Sequence, residues 1–251
     1  MGLVDTEAIV LRTYKLAEAD KIVLCLTKDY GIVRGVARGA RRLKSKFGAS
    51  LEPFTLVALT YFEKEGRELV SISQAEILRS YFQLARQPET VAGLEYMCEL
   101  AIEFAPPHQA DERLFRMVRA CVEALSEDAS KLHSIVRYYE TWMLKLSGFW
   151  PDVRVCGNCR RRQTGEQRIY LTTEGAPLCA ECAGGAGISL STRLQTQLRN
   201  IQALSPAQWA QAQGQHAPGA NDELTRLTER LIEKALERKP RGRASFGTQV
   251  S

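Results

Sequence analysis

From Val4 to about Leu78, apolar and polar positions alternate in short runs rich in β-branched and aromatic residues: TEAIVLRTY, KIVLCLT, YGIVRGVARG, FTLVALTYFE and LVSISQAEI. The segments between them are AEAD, KDYG, a long basic connection and KEGRE, all carrying turn-forming residues. The pattern predicts five strands. Five strands in so short a stretch suit a small closed barrel. An SH3-like barrel has the same count, but a long connection after the third strand matches the oligonucleotide/oligosaccharide-binding (OB) fold, which places an excursion there.

After Arg79 the periodicity becomes helical. Leu94, Met97, Cys98, Ala101 and Ile102 form one stripe, stopped by Pro106-Pro107. Leu114, Phe115, Val118, Cys121, Val122 and Leu125 form a second. Ile135, Tyr138, Tyr139, Trp142, Met143 and Leu146 form a third, closed by Gly148. This spacing predicts three antiparallel neighbours. The aromatic members of the third stripe keep aliphatic companions at helical spacing, which predicts a buried core face rather than a stacking platform for bases. Helical patterning returns at Leu194, Leu198, Ile201 and Leu204, and again at Leu224, Leu227, Leu231 and Leu236 after the capping signal Asn221-Asp222. Between these, QWAQAQGQHAPGAND is polar and predicts a surface loop with His216 in solvent. The tail KPRGRASFGTQVS lacks apolar periodicity and is expected to be loosely ordered, with Arg238, Lys239, Arg241 and Arg243 as an extra basic contact.

The expected architecture is therefore α+β and multidomain. An OB-fold barrel occupies residues 1–80. A mainly α-helical domain follows over 81–150 and 186–251, and a cysteine-rich module at 151–185 is inserted in it.

Charge sharpens this picture. The chain has 251 residues and a formal net charge of +5, a mild excess that is unevenly placed. Between Gly31 and Leu51 lie six basic residues, Arg34, Arg38, Arg41, Arg42, Lys44 and Lys46, with no carboxylate among them. Such a local positive field suits a phosphate backbone. A solvated loop is the plainer reading, but Gly35, Gly39, Ala40, Gly48 and Ala49 permit a close backbone approach that a merely charged loop does not need. The six cations are the candidate DNA-binding residues. No apolar run reaches the length of about 18 residues needed to span a bilayer. MGLVDTEAIV lacks signal-peptide order, and nothing polybasic supports a lipid anchor at Gly2. A cytoplasmic protein without a membrane partner is expected.

Seven cysteines in such a chain do not imply disulfides. Cys25, Cys98 and Cys121 sit singly in apolar runs, as small hydrophobes. Cys156-Gly-Asn-Cys159 and Cys179-Ala-Glu-Cys182 are two CxxC knuckles separated by 19 residues, the spacing of a four-cysteine zinc site. Four thiolates fill a zinc tetrahedron and leave no open position, so one structural Zn2+ is expected. A lone CxxC would also suit a redox pair; two at this spacing favour the metal. Arg160-Arg161-Arg162 and Arg168 are either a second nucleic-acid contact or a solvated turn.

Catalytic signatures are missing from the sequence. Carboxylates are not gathered for metal-dependent cleavage, and there is no GxxxxGK[ST] loop, GxSxG elbow or dinucleotide fingerprint. His108 and His133 have no evident nucleophile partner. The expectation is a binding protein rather than an enzyme.

The stretch EAIVLRTYKLAEADKIVLCLTKDYGIVRGVARGARRLKSKFGASLEPFTLVALTYF closely resembles the N-terminal domain of the bacterial RecO recombination mediators, in its GIVRGVARGARR turn, its SKFG and its LxPF elements. YYETWMLKLSGFWPDVRVCGNC is similar to that family's helix leading into its zinc knuckle. The resemblance implies an OB-fold domain followed by a helical domain with a zinc module. It implies binding of single- and double-stranded DNA, annealing of complementary strands, and work with RecR, and also RecF, in loading RecA onto DNA coated by single-strand-binding protein. Carried onto the matching stretch, the DNA contacts fall on the same six cations. Aromatics for base stacking are few: Phe47 in the basic stretch, and Tyr14, Tyr30, Tyr61 and Phe62 elsewhere in the domain. Sequence-tolerant, salt-dependent binding is the corresponding expectation. The competing expectation is an interaction adaptor, a zinc-stabilised scaffold that docks RecR or single-strand-binding protein with DNA contact secondary.

Overall fold

The computed structural model describes residues 2–64, 66–106, 109–163, 168–213 and 222–243. They form two compact units, one holding the chain up to Ala129 together with Arg241–Arg243, the other Ser130–Pro240. His108, His216 and Asn221 lie outside the described residues, as does the tail beyond Arg243. No helix among the described residues is long and apolar enough to cross a membrane.

The first unit is built on a closed five-stranded barrel: β1 (Gly2–Leu16), β2 (Asp20–Thr27), β3 (Gly31–Ala37), β4 (Leu56–Glu63) and β5 (Val70–Arg79), in the order β1-β2-β3-β5-β4. β1 is long enough to serve two neighbours. Its first half pairs with β4 and its second half with β2, across a bulge between Val10 and Arg12. Every pairing is antiparallel except β3 with β5, which is parallel over Gly35–Val70 and Val36–Ser71. This is the OB arrangement expected from the strand pattern. Alternating residues such as Val10, Cys25, Val33, Val57, Leu59 and Ile72 fill the interior. At Gly35 a Cβ would lie 2.6 Å from Ile72 Cγ1, so the strand can approach β5 there only without a side chain.

Helices α1 (Pro88–Phe104) and α2 (Glu112–Glu127) complete this unit. The Cys98 thiol donates to the Leu11 carbonyl of β1 at 3.0 Å. Glu123 of α2 accepts from Arg79 at the end of β5, from Tyr81 and from Arg119, which also reaches Glu7 of β1. Gly31, with φ +64°, turns into β3 where a Cβ would meet the Gln109 carbonyl oxygen at 2.4 Å. These contacts tie α1 and α2 to the barrel, so the three helices expected as consecutive neighbours are divided: α3 belongs to the second unit. The start of the tail is also not loose. The buried carboxylate of Glu99 accepts the backbone N–H groups of Arg241 and Gly242 at 3.0 and 2.7 Å, and the Arg243 guanidinium lies 5.7 Å from the Tyr96 ring centroid.

The second unit packs α3 (Leu132–Leu146) with α5 (Thr192–Ala203), α6 (Pro206–Gln213) and α7 (Glu223–Leu236), beside a small sheet of β6 (Ile169–Leu171), β7 (Pro177–Cys179) and β8 (Ile188–Leu190) that carries the short helix α4 (Ala180–Ala183). The aromatic stripe of α3 faces inward as expected. Tyr139 is fully buried, the Tyr138 hydroxyl donates to the Leu204 carbonyl, and Trp142 Nε1 donates to Ile201. The QWAQAQ segment, expected as loop, forms α6. Its Trp209 is fully buried and donates from Nε1 to the Ser134 carbonyl at 3.1 Å, so one large apolar side chain outweighs the polar composition around it. Asp222 caps α7 through the Leu224 N–H.

A buried polar group joins α3 to α7. Arg137 and Glu140 pair at 2.8 Å with almost no exposure, and the Thr228 hydroxyl donates to Glu140 at 2.5 Å. Removing one partner takes from the other an opposite charge that offsets its desolvation. Glu140→Ala is expected to destabilise the protein by about 3–5 kcal/mol, and Thr228→Val by about 1 kcal/mol. Urea unfolding followed by far-UV circular dichroism measures both; equal stability of Glu140→Ala and the parent chain would remove this pair from the account.

Candidate nucleic-acid interface and metal centre

The excursion between β3 and β4 spans residues 38–55 and is a chain of tight turns. Backbone N–H groups of Ala40, Arg42, Ser45, Ser50, Glu52 and Thr55 each donate to the carbonyl three residues earlier. It is held at two places. From inside, Phe47 and Leu51 insert into the barrel core. From the side, the turn between β1 and β2 grips it: the Asp20 carboxylate accepts the Gly39 N–H at 2.8 Å, and Arg41 donates its N–H to Ala19 and its Nη1 to Ala17.

All six predicted cations are exposed. Arg34 lies on the outward face of β3 and Arg38 opens the excursion just past its end, while Val33, Gly35 and Ala37 face the core. Arg41, Arg42, Lys44 and Lys46 follow on the excursion. None of the six forms an ion pair among the described residues; the neighbouring Lys21 takes Glu52, the only carboxylate of residues 38–55, at 3.3 Å. Between Arg42 and Lys44, Leu43 is fully exposed, in contrast to Phe47, Leu51 and Phe54 of the same segment.

Of the aromatics considered for stacking, Phe47 and Tyr61 are buried and Tyr14, Tyr30 and Phe62 are exposed. The basic excursion thus offers charge without an aromatic platform. Arg67 was missed by sequence reading. It lines a groove of about 460 Å³ with Arg38, Leu69 and Val70 where β3 meets the β4–β5 connection. Its only sequence signal is the KEGRE turn, in which two glutamates mask the cation.

The four cysteines of the two knuckles converge. Their sulfurs all lie within 4.8 Å of one another, and Cys159 Sγ is 3.8 Å from Cys179 Sγ. Sulfurs around a tetrahedral zinc, with Zn–S bonds of about 2.3 Å, sit about 3.8 Å apart, so the set fits the ion. The first knuckle is a turn closed by Arg160 N–H on the Cys156 carbonyl, with Arg160 at φ +60°. Gly157 N–H donates to the Pro177 carbonyl, which brings the first knuckle against the second. Cys179 ends β7 and Cys182 rides on α4.

Local electrostatics prepare the site for a cation. Backbone N–H groups, first that of Cys179 and then those of Cys159 and Asn158, hold the Cys156 thiol down to about 6. The neighbouring thiols of Cys179 and Cys159 push Cys182 up to about 12. Four thiolates cannot share this space without a positive charge among them, and a divalent ion removes the conflict. Cys25, Cys98 and Cys121 are buried elsewhere, with burial raising each thiol well above its ordinary range. Around the knuckles, Arg161 pairs with Glu181 at 2.9 Å, and Arg160 and Arg162 are exposed.

The chain matches the family described as Recombination protein O N terminal over residues 1–81, and Recombination protein O C terminal over residues 85–244. It is 30% identical over 240 residues to a DNA repair protein RecO of Anaeromyxobacter sp. (strain K), covering 95% of this chain and 94% of that one. It is 33% identical over 213 residues to its counterpart from Bifidobacterium animalis subsp. lactis (strain AD011), covering 84% and 86%. A relative of the same name from Dehalococcoides mccartyi (strain ATCC BAA-2266 / KCTC 15142 / 195) is 28% identical over 198 residues, covering 78% of this chain and 77% of its own. The barrel with its basic excursion and the helical unit with its cysteine cluster each fall within one of the two matched regions, and the chain belongs to the RecO family of DNA repair proteins.

Proposed function

We propose that the protein binds single- and double-stranded DNA through Arg34, Arg38, Arg41, Arg42, Lys44 and Lys46, and anneals complementary strands on that surface. The observation that supports this reading is a set of six exposed cations, Arg34 on β3 and the other five on the excursion pinned to the barrel, that form no ion pair with a carboxylate among the described residues. Holding the cations in place lowers the ordering cost of meeting a phosphate backbone. Two DNA strands repel each other through their phosphates; a fixed positive surface screens both and raises their local concentration without nucleotide hydrolysis. Charge supplies the affinity here, so binding tolerates any sequence. By the same proposal the protein would act in the cytoplasm with RecR, and with RecF, to help RecA load onto DNA coated by single-strand-binding protein.

Neutralising six phosphates gives a log-log salt slope of about −4 to −5. Replacing Arg38, Arg41 and Arg42 with Ala is expected to flatten this slope by about 2–3 and to weaken annealing in parallel. Fluorescence anisotropy of labelled oligonucleotides across several salt concentrations measures the slope, and an annealing assay with complementary strands measures the second effect. Annealing by the triple variant at the parent rate would transfer the activity to another surface.

We further propose that Cys156, Cys159, Cys179 and Cys182 hold one structural Zn2+. A bound zinc would lock the two knuckles together and, with four sulfur ligands, would leave no position for water or substrate. Cys182→Ser and Cys179→Ser are each expected to lower bound zinc, read by elemental analysis of the purified protein, and to lower the melting temperature. A chelator is expected to do the same to the parent chain. Full melting stability in the chelated parent would count against a structural metal.

A further inference from the structure

The second unit contains a groove of about 470 Å³ between the end of α3, the segment entering the first knuckle, and α5. It is within the size range of small-ligand sites, and its lining is chemically mixed. Lys145 from α3, Arg154 from the segment entering the first knuckle and Arg199 from α5 supply three cations, Trp150 supplies an indole, and Gln163 and Gln202 line it with amides.

The positive charge is only partly answered. Asp152 takes Arg154 in a two-point contact at 2.8 and 2.9 Å. Neither Lys145 nor Arg199 forms an ion pair among the described residues; Lys145 lies over the Trp142 ring at 4.6 Å, and Arg199 donates only to the Thr196 hydroxyl. Partial desolvation and the field of Arg154 draw the exposed Lys145 below the usual lysine range, the behaviour of a cation that an anion would relieve. Gln163 Nε2 is buried with no hydrogen-bond partner among the described residues, and Gln202 brings an exposed amide to the same lining.

Cations for a phosphate, an amide for a base edge and an indole for a base face are the parts that single-stranded nucleic-acid sites combine. We propose that this groove takes one nucleotide unit of single-stranded DNA, with its phosphate on Lys145 and Arg199 and its base against Trp150 and the exposed Gln202 amide. A peptide carboxylate would also use the cations, but the adjoining indole and amides favour the base. The site shares no residue with the basic excursion. It gives the protein a contact that engages bases as well as phosphates, which the excursion, without exposed aromatics, does not.

The test uses the full chain carrying Arg38→Ala, Arg41→Ala and Arg42→Ala, titrated at low salt with a short single-stranded oligonucleotide containing 2-aminopurine. Residual binding with a change in 2-aminopurine fluorescence is expected. Adding Lys145→Gln and Arg199→Gln, both at exposed positions, should weaken that binding by at least about tenfold, the worth of losing charge-assisted contacts. Trp150→Leu should diminish the fluorescence change. The proposal is overturned if the triple variant shows no residual binding, or if Lys145→Gln with Arg199→Gln leaves it unchanged. It is likewise overturned if an acidic peptide with a free terminal carboxylate binds these residues more tightly than the oligonucleotide. The excursion is judged separately, by comparing the parent chain with the triple variant on long oligonucleotides, so either site can fail without the other.

Discussion

Barrel closure depends on two residue pairs. β3 and β5 meet only at Gly35–Val70 and Val36–Ser71, in the one parallel contact of an otherwise antiparallel sheet, and the interior at that point belongs to Ile72. The missing side chain at Gly35 lets the strands come together without displacing it. Because side chains alternate along a strand, fixing Gly35 inward fixes Arg34 outward, and it sets the direction in which the excursion, beginning at Arg38, leaves the sheet. A residue with a Cβ at this position would press on Ile72 and Val70 and loosen the cationic face along with the core.

The excursion is unusual in being both densely charged and well held. Six like charges repel one another, and a flexible loop would spread them through solvent. Here Phe47 and Leu51 are sunk in the barrel core, and Asp20 and the carbonyls of Ala17 and Ala19 fix the other side. The energy of the hydrophobic core is thereby used to keep cations close together, and a polyanion would relieve the resulting repulsion. The cysteine cluster poses the same problem with the opposite sign. Backbone turns and β7 bring four thiols within 4.8 Å of one another, and a divalent cation would relieve the crowding of their thiolate forms.

The helical elements show how single residues decide where segments go. Cys98, small enough to lie against β1, donates to Leu11 and helps to join α1 to the barrel. Glu99, one residue on, turns the other way and accepts two N–H groups from the start of the tail. Gly242 permits this approach, since a Cβ there would come within 2.9 Å of the Tyr96 Cα. A segment of Pro, Gly and Arg with no apolar periodicity is thus ordered at its first residues by one buried carboxylate.

Features governed by short-range rules were legible in the sequence. The five strands follow from alternation of apolar residues, the inward stripe of α3 from helical spacing, the cap at Asp222 from its side chain, and the gathering of the four cysteines from the geometry of two CxxC turns. The cluster of six cations could be read as well, since a run without carboxylates stays positive however it folds. Tertiary structure alone decided that α1 and α2 form one compact unit with the barrel while α3 belongs to the other, that Trp209 draws a polar segment into a helix, that Phe47 is a core residue rather than a stacking surface, and that Lys145, Trp150, Gln163 and Arg199 line one groove. The physical reason is common to all four: burial and side-chain pairing depend on residues tens of positions away, and local composition does not encode which distant partner will be met.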